Sequence, residues 1–72
     1  MRTLNDVVAE QIRTRREAKG MTKAALLRAL GMHKHSAHVQ MWEAARQMPG
    51  AYYLCRLADV FECSVDELLG RN

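Results

Sequence analysis

Apolar positions recur along this chain at intervals of three and four, and no stretch alternates long enough to be a strand. Val8 and Ile12 stand four apart in a first segment that runs to about Lys19, with Ala18 near its end. Thr3 or Asn5 can supply its N-cap, and Gly20 its stop. Thr22 then caps a second segment of nine residues, whose Leu26, Leu27 and Leu30 form an inward stripe closed by Gly31. A third helix holds Val39, Trp42 and Glu43, and the pattern leaves its start open. Pro49 and Gly50 interrupt the pattern, and proline suits a helix start because its missing N–H would be unpaired there. Ala51, Leu54, Leu57, Ala58 and Phe61 make the apolar stripe of a fourth helix. In "SVDELL" the Ser64 hydroxyl serves the Glu67 N–H while the Glu67 side chain reaches back, a capping box that opens a fifth. Leu68 and Leu69 close the core. The expectation is an all-α fold of five short helices, forming one domain over residues 1–72.

Size and charge narrow the chemistry. A chain of 72 residues buries roughly 60% of its unfolded surface, which leaves no room for a deep catalytic cleft beside a core. The net charge is +3, but its distribution says more. Residues 1–46 carry nine basic and four acidic groups, whereas residues 47–72 carry two and four. A basic end suits a polyanionic partner, because Lys and Arg that neutralise phosphates release condensed counterions. A plain solvated surface shows the same asymmetry, so charge alone does not decide. Cys55 and Cys63 fall within one helix and the turn after it and make no disulfide framework; reduced thiols in a cytoplasmic protein are the economical reading. No apolar run approaches the ~20 residues of a membrane span, and the N-terminus has no signal-peptide core.

The second and third helices are joined by a short connection. That is the layout of a helix-turn-helix, in which the first helix braces across a nucleic-acid backbone and the next enters the major groove. An ordinary helical hairpin has the same spacing. More of the chain follows a known order, however. "RREAKGMTKAALLRALG", then "VQMWE", then Pro49, then "YLCRLADVFECSVDELLG" resemble the lambda-repressor-like (Cro or xenobiotic-response-element type) helix-turn-helix domain. The resemblance spans about Val7 to Gly70 and rests on the ordered set rather than on any one motif. It implies a compact five-helix DNA-binding domain, usually dimeric and usually a transcriptional regulator.

The resemblance also implies roles for particular residues. Thr22 matches the N-cap of the second helix, whose free N–H groups would face a phosphate, and Lys23 a position beside the groove that touches the DNA backbone. Ser36, Ala37, Gln40 and Met41 match outward positions of the recognition helix. Gln40 is the best base reader among them, since its amide can pair in bidentate fashion with adenine. Arg46 and Gln47 match the following loop, which commonly holds a flanking phosphate. Arg16 matches an arginine that pairs with the glutamate after the tryptophan, here Glu43, as a clamp between the first and third helices. The chain departs from the family in three places. Gly31 and Trp42 are two positions further apart than usual, so either the turn is longer or the recognition helix starts earlier. Ala45 stands where a helix-ending glycine is common, which would let the third helix run on toward Met48. Glu62 takes the usual glycine position after the fourth helix.

His33, His35 and His38 all lie in the extended segment, together with Lys34. Three convergent zinc ligands are disfavoured by geometry: on a continuous helix His33 and His38 would diverge by about 140°. Acid–base catalysis lacks a partner, since no Asp or Glu lies between Glu17 and Glu43. The remaining readings are donors on the rim of a DNA face, or solvated turn residues. Trp42, beside Val39, reads as core rather than as a stacking platform. In the fourth helix at least one of Tyr52 and Tyr53 should point away from the stripe, as should Val60. With Val65 and Leu69 they form an expected self-interface, although a tyrosine hydroxyl on a phosphate is an alternative.

The sequence therefore points to a non-enzymatic, sequence-specific DNA-binding regulator, of phage or mobile-element repressor type, binding a palindromic operator in the major groove as a homodimer. No cofactor, metal, membrane or small-molecule partner is called for. An antitoxin or a restriction–modification controller would share this fold, and a protein–protein adaptor would keep it without the DNA role.

Overall fold

A computed structural model describes residues 1–71. Five helices follow in order: α1 Leu4–Ala18, α2 Lys23–Ala29, α3 His38–Glu43, α4 Ala51–Phe61 and α5 Val65–Leu68. No strand occurs among the described residues.

Helix α1 begins at Thr3, whose hydroxyl accepts the Asp6 N–H at 3.1 Å while the Asp6 carboxylate accepts the Thr3 N–H at 3.0 Å. This capping box decides the N-cap in favour of Thr3, and Asn5 becomes part of the helix. Val8, Ala9 and Ile12 face the core. Ala18 does not; it is exposed, and the inward position in the last turn belongs to Arg16. Helix α2 is capped by Thr22, which accepts the Ala25 N–H at 3.0 Å. It spans seven residues rather than nine, because Leu30 leaves the helical ladder as the C-cap and Gly31 turns left-handed at φ +78°.

The two-residue extension lengthens the turn and leaves the third helix short. Residues 30–37 run without regular helix, and a turn closes inside them through the Ser36 N–H to His33 O bond at 2.9 Å. Helix α3 starts only at His38 and stops at Glu43; it does not continue toward Met48. The stop is Ala45, at φ +58°. Its N–H donates to Trp42 O at 3.1 Å and the Arg46 N–H donates to Met41 O at 3.0 Å, the pairing that usually surrounds a glycine. Glu62 does the same after α4, at φ +57°.

Val8, Ile12, Leu26, Leu27, Leu30, Val39, Trp42, Leu57, Ala58, Phe61 and Leu68 form one core. Ala51 heads the fourth stripe in sequence but is exposed, since it is the first residue of α4. Tyr53, Leu54, Val60, Val65 and Leu69 are half-buried and pack against the core. Of the five positions expected to form a self-interface, Tyr52 alone is largely exposed, at 62%. The core fixes the two things the site depends on: α3 is held against α1 and α2 by its Val39–Trp42 edge, and its opposite edge is left open.

Candidate nucleic-acid interface

Helix α3 is anchored on one side and free on the other because of its spacing. Val39, Trp42 and Glu43 fall on one arc of the helix; Val39 and Trp42 are buried, and Glu43 meets Arg16. Ala37, Gln40 and Met41 fall on the opposite arc. Ala37 and Gln40 are exposed and Met41 is half-exposed. Gln40 makes no hydrogen bond through its side chain among the described residues, so its amide is free to pair.

The Arg16–Glu43 contact sets the height of this helix. Arg16 Nε donates to Glu43 Oε2 at 2.6 Å and Nη2 donates to Oε1 at 3.1 Å, a two-pronged fork. Arg16 Nη1 also donates to Met21 O at 2.8 Å, which ties the loop before α2 to the same side chain. The side chains are 11% and 6% exposed. Glu43 raises the pKa of Arg16 above its ordinary value, chiefly through this hydrogen bond, so the guanidinium stays charged at any pH where the protein is folded. One arginine thereby fixes α1, the entrance to α2 and the end of α3.

The remaining residues singled out in the sequence fall on three adjoining segments. Thr22 and Lys23 lie exposed at the start of α2. His33, Lys34, His35, Ser36 and His38 occupy the long turn and the first position of α3, all exposed except half-buried Ser36. Arg46 and Gln47 lie exposed after the Ala45 turn. The histidines do not converge. His33 Nδ1 accepts the His35 N–H at 3.1 Å, while His38 Nδ1 meets the Ser36 hydroxyl, so two of the rings are engaged with neighbouring turn groups. No cluster of three or more His, Cys, Asp or Glu with metal-binding geometry occurs among the described residues. The continuous-helix angles used to compare these histidines do not apply, because His33 and His35 lie in the turn and only His38 is helical.

Charge pairing sorts the cations of the basic segment. Arg2, Arg15, Arg16 and Lys19 bond to carboxylates on the protein itself. Arg13, Lys23, Arg28, Lys34 and Arg46 make no salt bridge among the described residues. Lys23, Lys34 and Arg46 are the cations the sequence marks for an interface, and Arg13 and Arg28 are two further unpaired ones that it does not mark. Arg13 lines an open groove of about 430 Å³ with Glu43, Ala44 and Ala45, next to the turn that carries Arg46. Its position three residues before Arg16 places it on the same side of α1, and that spacing is legible in the sequence. Arg28 stands outside the Leu26–Leu27–Leu30 stripe, in the last turn before the long connection.

The aromatic residues form a chain rather than a platform. Trp42 lies 5.7 Å from Tyr53 between ring centroids, and Tyr53 meets Tyr52 edge-on at 5.0 Å. Trp42 is 2% exposed and belongs to the core. Tyr52 projects outward, and its hydroxyl accepts from Arg56, which also donates to Ala29 O at the end of α2. No helix is long and apolar enough to cross a membrane among the described residues. Burial pushes the Cys63 thiol up, in keeping with a protonated, unreactive side chain, and Cys55 is free and exposed.

Comparison with known proteins agrees with this geometry. The curated proteins and the solved structures compared with the chain give no match. The sequence model of the helix-turn-helix family matches residues 12–68, a span running from the second half of α1 through α5. With five helices in the expected order, a helix-turn-helix at α2–α3 and a family match over most of its length, the chain belongs to the lambda-repressor-like (Cro/C1-type) helix-turn-helix family, whose members are DNA-binding transcriptional regulators.

Proposed function

We propose that this protein is a sequence-specific transcriptional regulator that binds a palindromic operator as a homodimer, with residues 1–72 acting as one DNA-binding module. A phage- or mobile-element-type repressor is the role that suits so small a binding unit. The observation that carries the reading is the two-sidedness of α3. One edge is locked by Val39, Trp42 and the Arg16–Glu43 fork, while Ala37, Gln40 and Met41 on the other are unoccupied. Such an edge reads base pairs in the major groove. Lys23, Lys34 and Arg46, joined by Arg13 and Arg28, would neutralise the phosphates on either side.

The dimensions of the protomer support the dimer. The longest extent of the protomer is 31 Å, and it carries one recognition helix. Successive major grooves on one face of a duplex are about 34 Å apart, so reading two half-sites requires two copies. Tyr52 is the exposed aromatic side chain on α4 available to such a contact, with half-buried Val60 on the same helix and half-buried Val65 and Leu69 at the two ends of α5.

Footprinting on the DNA upstream of the protein's own gene, combined with a salt titration, tests the reading. The expected result is a protected two-fold symmetric site, with affinity falling roughly 10³-fold or more between 50 and 200 mM salt if six or more phosphates are contacted by the dimer. Weak binding that is equal on every duplex would instead favour a protein–protein adaptor. Sedimentation showing monomers alone at tens of micromolar, with and without DNA, would remove the dimer.

A further inference from the structure

The peptide unit joining Ala45 to Arg46 is gripped at both ends. Its N–H donates to Met41 O at 3.0 Å, within α3. Its carbonyl, Ala45 O, accepts from Asn5 Nδ2 at 2.8 Å, a bond from the first turn of α1 across forty positions of sequence. With both ends of a rigid plane tied to different helices, the direction in which the chain leaves toward Arg46 and Gln47 is fixed. The tie is needed because Ala45 is left-handed without being glycine, so its own backbone preference favours leaving that conformation. Asn5 is an odd choice if stability alone is at stake. Its Oδ1 is buried and has no hydrogen-bond partner among the described residues, so the side chain leaves half of its polar capacity unmet. An apolar residue of similar shape would fill the space without that penalty, but it would release the Ala45 carbonyl.

We propose that Asn5 is a positioning residue for the phosphate contact made by Arg46 and Gln47, acting through the Ala45 carbonyl. The inference rests on the DNA-binding reading above. It assigns a part of the interface to a side chain on the far end of α1 that touches no nucleic acid. What Asn5 positions is more than the flexible Arg46 side chain. The Gln47 N–H, in the next peptide unit, has no acceptor among the described residues and leaves from the same held turn.

Asn5→Leu is the decisive substitution, because it keeps the volume and removes the donor together with the unmet acceptor. The expected result is a folded protein of modestly lower thermal stability, since the Ala45 carbonyl loses its donor, with affinity for every duplex lowered about tenfold at temperatures well below unfolding. The slope of log affinity against log salt should shrink by about 0.9 for each phosphate lost, and the preference among sites should not change. Asn5→Asp, which keeps the shape but has no N–H to give, should likewise lower affinity, at a larger cost in stability because its carboxylate faces the Ala45 carbonyl. In the free protein, amide hydrogen exchange at Arg46 should quicken in both variants, reporting the loosened plane without reference to DNA. Parental affinity and slope in Asn5→Leu, a loss confined to one base-pair step, or unchanged Arg46 exchange would each overturn the assignment. If the parent itself bound no duplex while Arg46 exchange quickened as expected, the DNA reading would fail and the hold of Asn5 on Ala45 would stand.

Discussion

Ala45 and Glu62 both hold left-handed backbone at positions where glycine would carry no penalty, and the two are supported differently. Ala45 has Asn5 on its carbonyl, whereas Glu62 offers its own carboxylate to Lys19 Nζ at 3.1 Å on the surface. An L-residue in this region is disfavoured by about 1–2 kcal/mol, partly offset in a glycine variant by the greater freedom of its unfolded chain. Ala45→Gly should therefore stabilise the fold by roughly 0.5–1 kcal/mol, visible as a Tm several degrees higher by calorimetry. The Arg16–Glu43 pair makes the opposite kind of prediction. With both side chains nearly out of water, Glu43→Gln leaves a buried guanidinium short of its charge partner and should cost about 3–5 kcal/mol in denaturant unfolding. Arg16→Met combined with Glu43→Leu should recover most of that loss, since neither charge then remains unpaired. A double variant as unstable as Glu43→Gln alone would mean that the Arg16 bond to Met21 O, rather than the ion pair, carries the energy.

Elements as short as α3, at six residues, and α5, at four, are not stable helices by themselves and depend on caps and packing. Two capping boxes, Thr3–Asp6 on α1 and Ser64–Glu67 on α5, supply the caps. In both, the backbone N–H of the capping residue holds the carboxylate below its usual pKa, with the capping hydroxyl adding to the effect. A folded-state value below the unfolded one means that this stabilisation is complete above the ordinary carboxylate range. It is lost as the pH falls through the lowered values of Asp6 and Glu67. Helix content should accordingly decline in acid below about pH 4, and Glu67→Gln should flatten that limb in a circular-dichroism titration. Ser64→Ala, which removes the hydroxyl cap, should destabilise by about 1 kcal/mol at neutral pH. Helix α3 has no such box: Ala37 precedes it with no side-chain cap, and the Ser36 hydroxyl instead takes the His38 N–H at 3.3 Å. Helix α4 likewise starts without a side-chain cap, at Gly50, so neither start is secured by the chemistry that opens α1, α2 and α5.

For the whole molecule, the cations divide into those paired with carboxylates and those that are not. Of the pairs, Arg16–Glu43 is the buried one that holds helices together, while the pairs to Glu10, Glu67 and Glu62 are exposed and add little. Gln40→Ala should lower discrimination at one base-pair step by about 1–3 kcal/mol and leave the thermal unfolding unchanged, because its side chain is exposed and makes no internal bond. Binding-site selection with the variant measures this directly. A site preference identical to the parent's would show that Gln40 does not read bases and that the neighbouring Ala37 and Met41 bear the specificity.

The periodicity of apolar residues marked the first four helices, with the start of the third left open, and the Ser64–Glu67 capping box marked the fifth; each inward stripe must be buried by a chain this small. Thr22 and Ser64 were legible as starts for the same kind of reason, since capping is local chemistry between neighbours, whereas the choice between Thr3 and Asn5 was decided by the Thr3–Asp6 capping box. The Arg16–Glu43 fork came from the family resemblance, and its distances became visible only in three dimensions. Tertiary structure alone decided how the two extra residues before Trp42 are spent: they lengthen the turn, and α3 starts at His38, one residue before buried Val39. It also decided that α3 ends at Ala45, although alanine is a good helix former. The competing force is a carbonyl held from α1 by Asn5, a contact between residues forty apart that no local pattern encodes. Which cations are free is likewise a fact of the folded state, since pairing with a carboxylate depends on what packing brings within reach.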